Sequence, residues 1–250
     1  MSTPMTSPAA TQTRLRVENI NTYYGDSHVL RDVSLHIGAG ETVALLGRNG
    51  VGKTTTLKSI VGWQPPRTGS VTLDGQELTG RGMMAIARMG VSLVPEERRI
   101  FTNLTVAENL RLAQVTAQKP GWTLDHVYEK FPRLRERLTH KGDEISGGEK
   151  QMLAIARAMV EPRRLLLIDE PSKGLAPAIV QNLIAALREL KRTATTVLLV
   201  EQNFQMAKAL GDRVAVMDDG RVVHRGAMAE LADDEGLQHR LLGLSLAAHQ

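Results

Sequence analysis

The sequence contains no cysteine, few aromatic residues and no long uninterrupted apolar run. Without cysteine the chain has neither disulfides nor thiolate metal sites, which is compatible with a reducing compartment. Phe, Trp and Tyr make up 3% of the chain, which argues against a surface that stacks the bases of single-stranded nucleic acid. No apolar stretch approaches the roughly 18 residues of a membrane-spanning helix. Any association with a membrane must therefore come through a partner.

A strong excess of charge of one sign is also missing. The chain has 31 basic and 27 acidic residues, and the two signs are mixed along its length. Such a mixture is typical of an ordinary solvated surface, so we expect no nucleic-acid partner on the basis of charge. With 250 residues the chain is long enough to bury a substantial core.

The composition of the two ends predicts short tails around one domain. Residues 1–13 are rich in Ser, Thr, Pro and Ala and have neither a basic nor an apolar segment, so they predict a disordered tail rather than a signal peptide. The domain should extend over 14–245, and 246–250 should form a second tail.

A glycine-rich segment that fits G-x-x-x-x-G-K-[ST] follows the apolar run Val43 to Leu46. It consists of Gly47, Arg48, Asn49, Gly50, Val51, Gly52, Lys53, Thr54 and Thr55. In this context the pattern predicts a phosphate cradle, because glycines let backbone N–H groups turn inward and the next helix points its positive dipole end at the same place. Lys53 would reach the β- and γ-phosphates, and the Thr54 hydroxyl would ligate Mg²⁺. The alternative, a glycine-rich turn before an ordinary helix, needs no Lys-Thr pair.

Two adjacent carboxylates follow the apolar run Leu165 to Ile168. At the carboxyl end of a parallel strand such groups face the ligand crevice. Asp169 is expected in the Mg²⁺ shell opposite Thr54, and Glu170 is placed to orient and deprotonate the attacking water. An acidic turn after a strand is the plainer explanation, which the upstream phosphate loop disfavours.

A second anion-binding helix start is predicted at Ser146, Gly147, Gly148 and Glu149. One ATP cannot easily use both sites within one subunit, because the phosphate loop already wraps its phosphates. This favours a head-to-tail dimer in which the Ser146 segment covers the nucleotide of the other subunit. Ser-Gly-Gly taken alone also serves as a simple helix start.

The fold class expected from these patterns is α/β, with a P-loop NTPase core. Alternation over Arg14–Ile20 and Asp32–Gly38 predicts an N-terminal antiparallel β lobe. From Thr102 the pattern is helical, with Thr105 and Glu108 as a capping box, so a helical lobe over about 102–160 is expected as an insertion in the core.

Together these motifs resemble the ATP-binding subunit of an ABC transporter, from about Leu15 to Leu244. The resemblance implies an ABC-type ATPase that binds ATP with Mg²⁺, and an aromatic residue near the start that stacks on adenine. Tyr24, followed by Gly25, matches that position, and Tyr23 is the neighbouring candidate. Only one of the two can face the site at strand spacing.

Two positions depart from the common pattern of the family. Glu96 stands where most members have a glutamine that senses Mg²⁺ and the membrane partner, so Glu96 is a candidate for the metal shell. Gln202 stands where most have a histidine that contacts the γ-phosphate; glutamine donates a hydrogen bond but cannot titrate. By resemblance the expected catalytic set is Glu170, Gln202 and Lys53. The loop Pro171–Ala176 also lacks the usual aspartate at its end.

The segments V-P-E-x-R-R-I-F, S-x-G-L-A-P and L-V-E-Q-N look like those of the smaller ATPase of branched-chain amino-acid importers and their amide-transporting relatives. This resemblance implies a peripheral protein on the cytoplasmic face of the plasma membrane. Its expected partners are a sister ATPase, two membrane permease subunits that dock around Glu97–Phe101, and indirectly an extracytoplasmic solute-binding protein. Leucine-type amino acids, urea and short amides all stay open as solutes, as does a homodimer of the ATPase.

Two other functions stay in consideration. ABC-type ATPases of translation or DNA maintenance usually have tandem modules, coiled-coil arms or cysteine zinc sites, and this chain shows none of these patterns. A subunit that only binds ATP is disfavoured by intact Lys53, Asp169 and Glu170, but Gln202 keeps that alternative open.

Overall fold

The structure, a computed structural model, describes residues 12–117, 121–161 and 163–243. The predicted tails therefore lie largely outside the described residues, and the first strand begins at Thr13. None of the helices in these ranges is both long and apolar enough to cross a membrane. The strands are β1 (Thr13–Tyr24), β2 (Ser27–Gly38), β3 (Thr42–Leu46), β4 (Thr68–Leu73), β5 (Gln76–Glu77), β6 (Val91–Val94), β7 (Leu165–Asp169), β8 (Thr196–Glu201), β9 (Arg213–Asp218) and β10 (Arg221–Ala227).

Ten helices lie in the described ranges. They are α1 (Lys53–Ile60), α2 (Met83–Arg88), α3 (Val106–Thr116), α4 (Leu124–Lys130), α5 (Pro132–Glu136), α6 (Gly147–Met159), α7 (Pro177–Arg192), α8 (Phe204–Leu210), α9 (Met228–Asp233) and α10 (Glu235–Leu242). Helices α3 to α6 lie within the segment expected to be helical, and α3 and α6 both begin with a capping box.

The strands form two sheets. One is antiparallel with the order β2-β1-β4-β5, which confirms the predicted β-rich opening. The other has the order β10-β9-β3-β8-β7-β6; its strands pair in parallel except for the β9–β10 hairpin. The parallel strands β3, β7 and β8 are buried along their whole length, as their nearly continuous apolar residues predict.

Strand β7 lies between the two main cores. Leu165 and Leu167 pack on one face with the antiparallel sheet and α1. Leu166 and Ile168 pack on the other face with the helical segment and α7. Strand β7 is therefore held from both sides, and the two carboxylates at its end have a rigid support.

The carboxyl ends of the parallel strands meet at one edge of the second sheet. Leu46, the last residue of β3, pairs with Glu201 of β8, and Val200 pairs with Asp169 of β7. The loop after β3, the loop after β7 and the loop after β8 therefore lie side by side, which is the usual place for a ligand crevice in such sheets.

Candidate functional site

The loop after β3 depends on glycine for its shape. Gly47 has φ 152°, and a Cβ there would lie 2.5 Å from the carbonyl oxygen of Met217 on β9. Gly52, at φ 107°, precedes Lys53, the first residue of α1, and a Cβ there would lie 2.7 Å from a methyl carbon of Leu30. Side chains at these positions would push the loop away from the sheet, so the pattern of glycines is a requirement of close packing.

Lys53 is almost fully buried at the centre of this loop, with 4% of its surface exposed. Its Nζ donates to the carbonyl oxygens of Gly47 and Arg48, both at 2.8 Å, and lies 3.2 Å from Oε1 of Glu170. The ammonium group is thus held by oxygens alone, and the same three donors can be offered to the oxygens of a phosphate.

Thr54 and Asp169 meet although they are far apart in the sequence. The Thr54 hydroxyl donates to Oδ1 of Asp169 at 3.2 Å. Burial raises the pKa of Asp169 to about 6, with the charges of Glu170 and Glu96 adding to the rise and Thr54 and Lys53 opposing it. A hydroxyl and a carboxylate are the oxygen ligands that Mg²⁺ prefers, and a cation there would relieve the crowding of negative charge, so the pair fits the metal.

Glu170 lies next to the phosphate loop and touches the loop after β8. Its φ of 44° is in the left-handed region, which is unusual for a residue other than glycine. The side-chain amide of Gln202 donates to both carboxylate oxygens of Glu170, at 2.9 and 3.0 Å, and also to the side-chain oxygen of Asn49. Gln202 therefore joins the loops after β3 and β7.

The environment of Glu170 favours its ionised form. Burial alone would raise its pKa, but the hydrogen bond from Gln202 and the nearby ammonium groups of Lys53 and Lys173 bring the pKa below its usual value. A carboxylate that is ionised, only 7% exposed and hydrogen-bonded by an amide is chemically suited to accept a proton from a neighbouring water molecule.

Lys173 is a member of this cluster that the sequence motifs did not indicate. Its Nζ lies 2.7 Å from Oε1 of Glu96 and 3.6 Å from Oε2 of Glu170, and the Glu96 carboxylate raises the pKa of Lys173. Its position three residues after Glu170 was the available signal, but the sequence did not reveal that the loop after β6 brings Glu96 to the same place.

The two tyrosines at the end of β1 have different surroundings. Tyr23 stacks on His28 with ring centres 4.1 Å apart, and the guanidinium of Arg67 lies 4.2 Å from the centre of the Tyr23 ring. Tyr24 is 42% exposed. Because the Tyr23 ring is already covered, the geometry favours Tyr24 as the ring that is open to a flat ligand.

Ser146 and Glu149 form the capping box of α6. The Ser146 hydroxyl accepts a hydrogen bond from the Glu149 amide, and the Glu149 carboxylate accepts one from the Ser146 amide at 2.8 Å. Gly147 lies against the Arg98 guanidinium, and Gly148 lies against Ile179. Across the described ranges, no hydrogen bond or ion pair joins Ser146–Glu149 to the loop Gly47–Thr55 of the same chain.

Known proteins resemble this chain over most of its length. Residues 30–173 match the sequence profile described as ABC transporter. The chain is 42% identical over 231 residues to the high-affinity branched-chain amino acid transport ATP-binding protein BraG of Pseudomonas aeruginosa, covering 92% of this chain and 99% of the relative. It is 35% identical to the probable branched-chain amino acid transport ATP-binding protein LivF of Archaeoglobus fulgidus, covering 92% and 99%.

One solved structure is described as the ATP-binding subunit of an ABC transporter. It has 32% sequence identity to this chain and a TM-score of 0.76. The match covers 94% of this chain and 96% of that one. The likeness in sequence and in fold thus extends along nearly the whole chain. The chain therefore belongs to the ABC transporter family, in which it is a nucleotide-binding ATPase subunit.

Proposed function

We propose that this chain hydrolyses ATP to energise an importer of branched-chain amino acids. The observation that carries the enzymatic part is the contact of Gln202 with both Glu170 and Asn49, next to the Thr54–Asp169 pair. The similarity to BraG and LivF supports the class of solute. The nearest alternative is the same role in an importer of urea or short amides, since the ATPase itself does not contact the solute.

The loop Gly47–Thr55 would hold the phosphates of ATP through its backbone N–H groups and Lys53, which would exchange its two carbonyl partners for phosphate oxygens. Thr54 and Asp169 would hold Mg²⁺, with Glu96 as a further candidate. When bound, Mg²⁺ neutralises phosphate charge. Tyr24 would stack on adenine.

Glu170 would act as the general base. It accepts a proton from water as the water oxygen attacks the γ-phosphorus and the bond to the ADP oxygen breaks. Gln202 would orient Glu170 and contact the γ-phosphate without changing its own charge, because an amide does not titrate near neutral pH.

The capping-box segment Ser146–Glu149 supports a composite site. It offers the N-terminus of a 13-residue helix, α6, and no hydrogen bond or ion pair of the described residues joins it to its own phosphate loop. A head-to-tail dimer would bring it to the nucleotide of the other subunit. We propose that the other subunit is a sister ATPase, and that a homodimer is the alternative.

Membrane permease subunits are the partners that membership of this family implies. A groove of about 400 Å³ between α2, β6 and α6 is the proposed docking surface. Its lining includes Trp63, Met83, Arg98, Arg99 and Arg157. Trp63, Met83 and the adjacent Phe101 are partly exposed, at 38%, 50% and 45%, which is typical of a surface that a partner covers. Docking there would place the chain on the cytoplasmic face of the plasma membrane.

The proposed function is tested by purifying the tagged chain from cells that express it with the permease genes of its own neighbourhood. We expect permease and a sister ATPase to co-purify, and leucine-loaded solute-binding protein to stimulate ATP hydrolysis in proteoliposomes. Stimulation by urea or acetamide and not by leucine would favour the amide importer. Absence of both permease and stimulation would contradict a role in import.

A further inference from the structure

Glu201, the last residue of β8, is a buried carboxylate that the chemistry above does not use. Only 1% of its surface is exposed. Among the ion pairs of the described residues none includes Glu201, so no cation offsets its charge. A carboxylate in such a place is costly unless hydrogen bonds replace the water that it has lost.

Four donors from two loops surround the Glu201 carboxylate. The Ser172 amide donates to Oε1 at 2.9 Å, and the Ser172 hydroxyl donates to Oε2 at 2.9 Å. The backbone amides of Gln202 and Asn203 both donate to Oε2 at 3.1 Å. All of these groups point donors at the carboxylate, and an ionised carboxylate, which only accepts, matches that pattern. Burial raises the pKa of Glu201, and these hydrogen bonds oppose the rise.

The two loops that Glu201 joins are those that hold the reacting groups. Ser172 follows Glu170 by two residues. Gln202 is the residue whose side-chain amide donates to both carboxylate oxygens of Glu170. Glu201 thus accepts hydrogen bonds from the loop that carries Glu170 and from the loop that carries Gln202. Among the described residues no hydrogen bond joins its carboxylate to the side chain of either one.

We propose that Glu201 is a positioning residue that sets the distance between Gln202 and Glu170 by binding the loop after β7 to the loop after β8. This inference deepens the proposed function and rests on it. A positioning residue differs from a merely structural one in what its loss changes. Loss of Glu201 should slow the catalytic step and leave the binding of ATP by the phosphate loop and Tyr24 intact.

The variant Glu201→Gln tests this with almost no change of shape. In either orientation of the amide, its NH₂ group faces backbone N–H donors, either that of Ser172 or those of Gln202 and Asn203, so one loop must shift. In the assembled transporter we expect kcat for ATP hydrolysis to fall at least tenfold, with the KM for ATP within twofold of the wild type. Ser172→Ala, which removes one of four donors, should lower kcat less and also leave KM unchanged.

Glu41→Gln is the matched control. Glu41 also holds a loop, by accepting a hydrogen bond from the Gly38 amide, but it precedes β3 at the opposite edge of the same sheet. We expect Glu41→Gln to lower Tm without lowering kcat.

A second readout is the double variant that combines Glu201→Gln with Gln202→Ala. Because Glu201 acts through Gln202, adding Glu201→Gln to Gln202→Ala should lower kcat by less than twofold.

Any of three results would overturn the inference. The first is an unchanged kcat in Glu201→Gln, and the second is a KM for ATP that rises in proportion to the fall of kcat. The third is a double variant in which the fold reductions in kcat of Glu201→Gln and Gln202→Ala multiply in full. If Glu201→Gln does not fold, the same three criteria apply to Ser172→Ala. A wild-type transporter that hydrolyses no ATP would instead contradict the proposed function itself, so the two failures are distinguishable.

Discussion

Glu170 combines a left-handed backbone, deep burial and a hydrogen bond from an amide at one residue. We predict that Glu170→Gln binds ATP but loses at least 99% of its hydrolysis, because the amide keeps the shape and cannot accept the proton of water. The variant should accumulate as a closed dimer with ATP. Phosphate release by the complete transporter and light scattering of the subunits measure the two effects. Unchanged turnover would remove Glu170 from the role of base.

Tyr23 and Tyr24 are a natural pair of variant and control. Tyr24→Ala should raise the KM for ATP about tenfold and change kcat by less than twofold, because stacking contributes to binding of the ground state and the transition state alike, at about 1–3 kcal/mol. Tyr23→Ala should have the smaller effect on KM, since its ring already stacks on His28. The reverse order of effects would assign the adenine to Tyr23.

Asp169 should make the free protein less stable as the pH rises. Its pKa of about 6 in the folded chain, raised mainly by burial, exceeds the ordinary value of 3.8, so the native state binds the proton more tightly. The free energy of unfolding, relative to that of Asp169→Asn, should fall by about 2 kcal/mol between pH 4.5 and pH 7 without nucleotide or Mg²⁺. Urea denaturation measures this, with Asp26→Asn in an exposed turn as control. A difference that does not vary with pH would contradict it.

The motif residues were predictable from sequence because each depends on a short contiguous segment. Lys53 and Thr54 follow their glycines directly, and Asp169 and Glu170 follow their strand directly. The Lys173–Glu96 pair and the covered ring of Tyr23 depend on how separate loops approach each other in space, and no local pattern carries that information. The catalytic roles given to these residues stay predictions until variants are measured.

At the scale of elements, helices α6 and α3 both begin with a capping box. Only the capping box of α6 belongs to the expected ATP site. Ser146→Ala and Thr105→Ala should each lower the free energy of unfolding by about 1 kcal/mol, because each removes an N-cap oxygen. Only Ser146→Ala should also lower ATP hydrolysis, by tenfold or more, since only that helix start is expected to meet a nucleotide. Equal effects of the two substitutions on hydrolysis would mean that Ser146 acts only as the N-cap of α6.

Strongly patterned elements were predictable from the sequence, whereas the short elements β6 and α2 were not. Strands β3 and β7 were visible as apolar runs. Strand β6 has only four residues, and α2 has six residues with one buried side chain, Ile86. Both are stabilised by packing against distant parts of the chain, which local propensity does not describe. The extent of the helical lobe as a domain stays a prediction.

At the scale of the whole molecule, the loop after β6 contributes to both the proposed docking groove and the expected ATP site. The loop after β6 carries Glu96 toward the Asp169–Glu170 loop and Arg98 toward α6, where the Arg98 guanidinium donates to the side-chain oxygen of Gln151 at 3.2 Å. Arg157 of α6 in turn donates to the carbonyl oxygen of Arg99 at 3.1 Å. A permease that moves this loop would therefore displace groups on both the metal side of the site and the helix that begins at Ser146.

Two neighbouring methionines on α2 test whether the groove is where the permease docks. Met83 lines the groove and is 50% exposed, whereas Met84 does not line it and is 70% exposed. Met83→Glu should abolish co-purification with the permease and stimulation of hydrolysis by the solute-binding protein, because a partner would bury an unpaired charge. Met84→Glu adds the same charge to the same helix and should leave both intact, and ATP binding should be equal in the two variants. Loss of the permease with Met84→Glu alone would place the interface on the other side of α2.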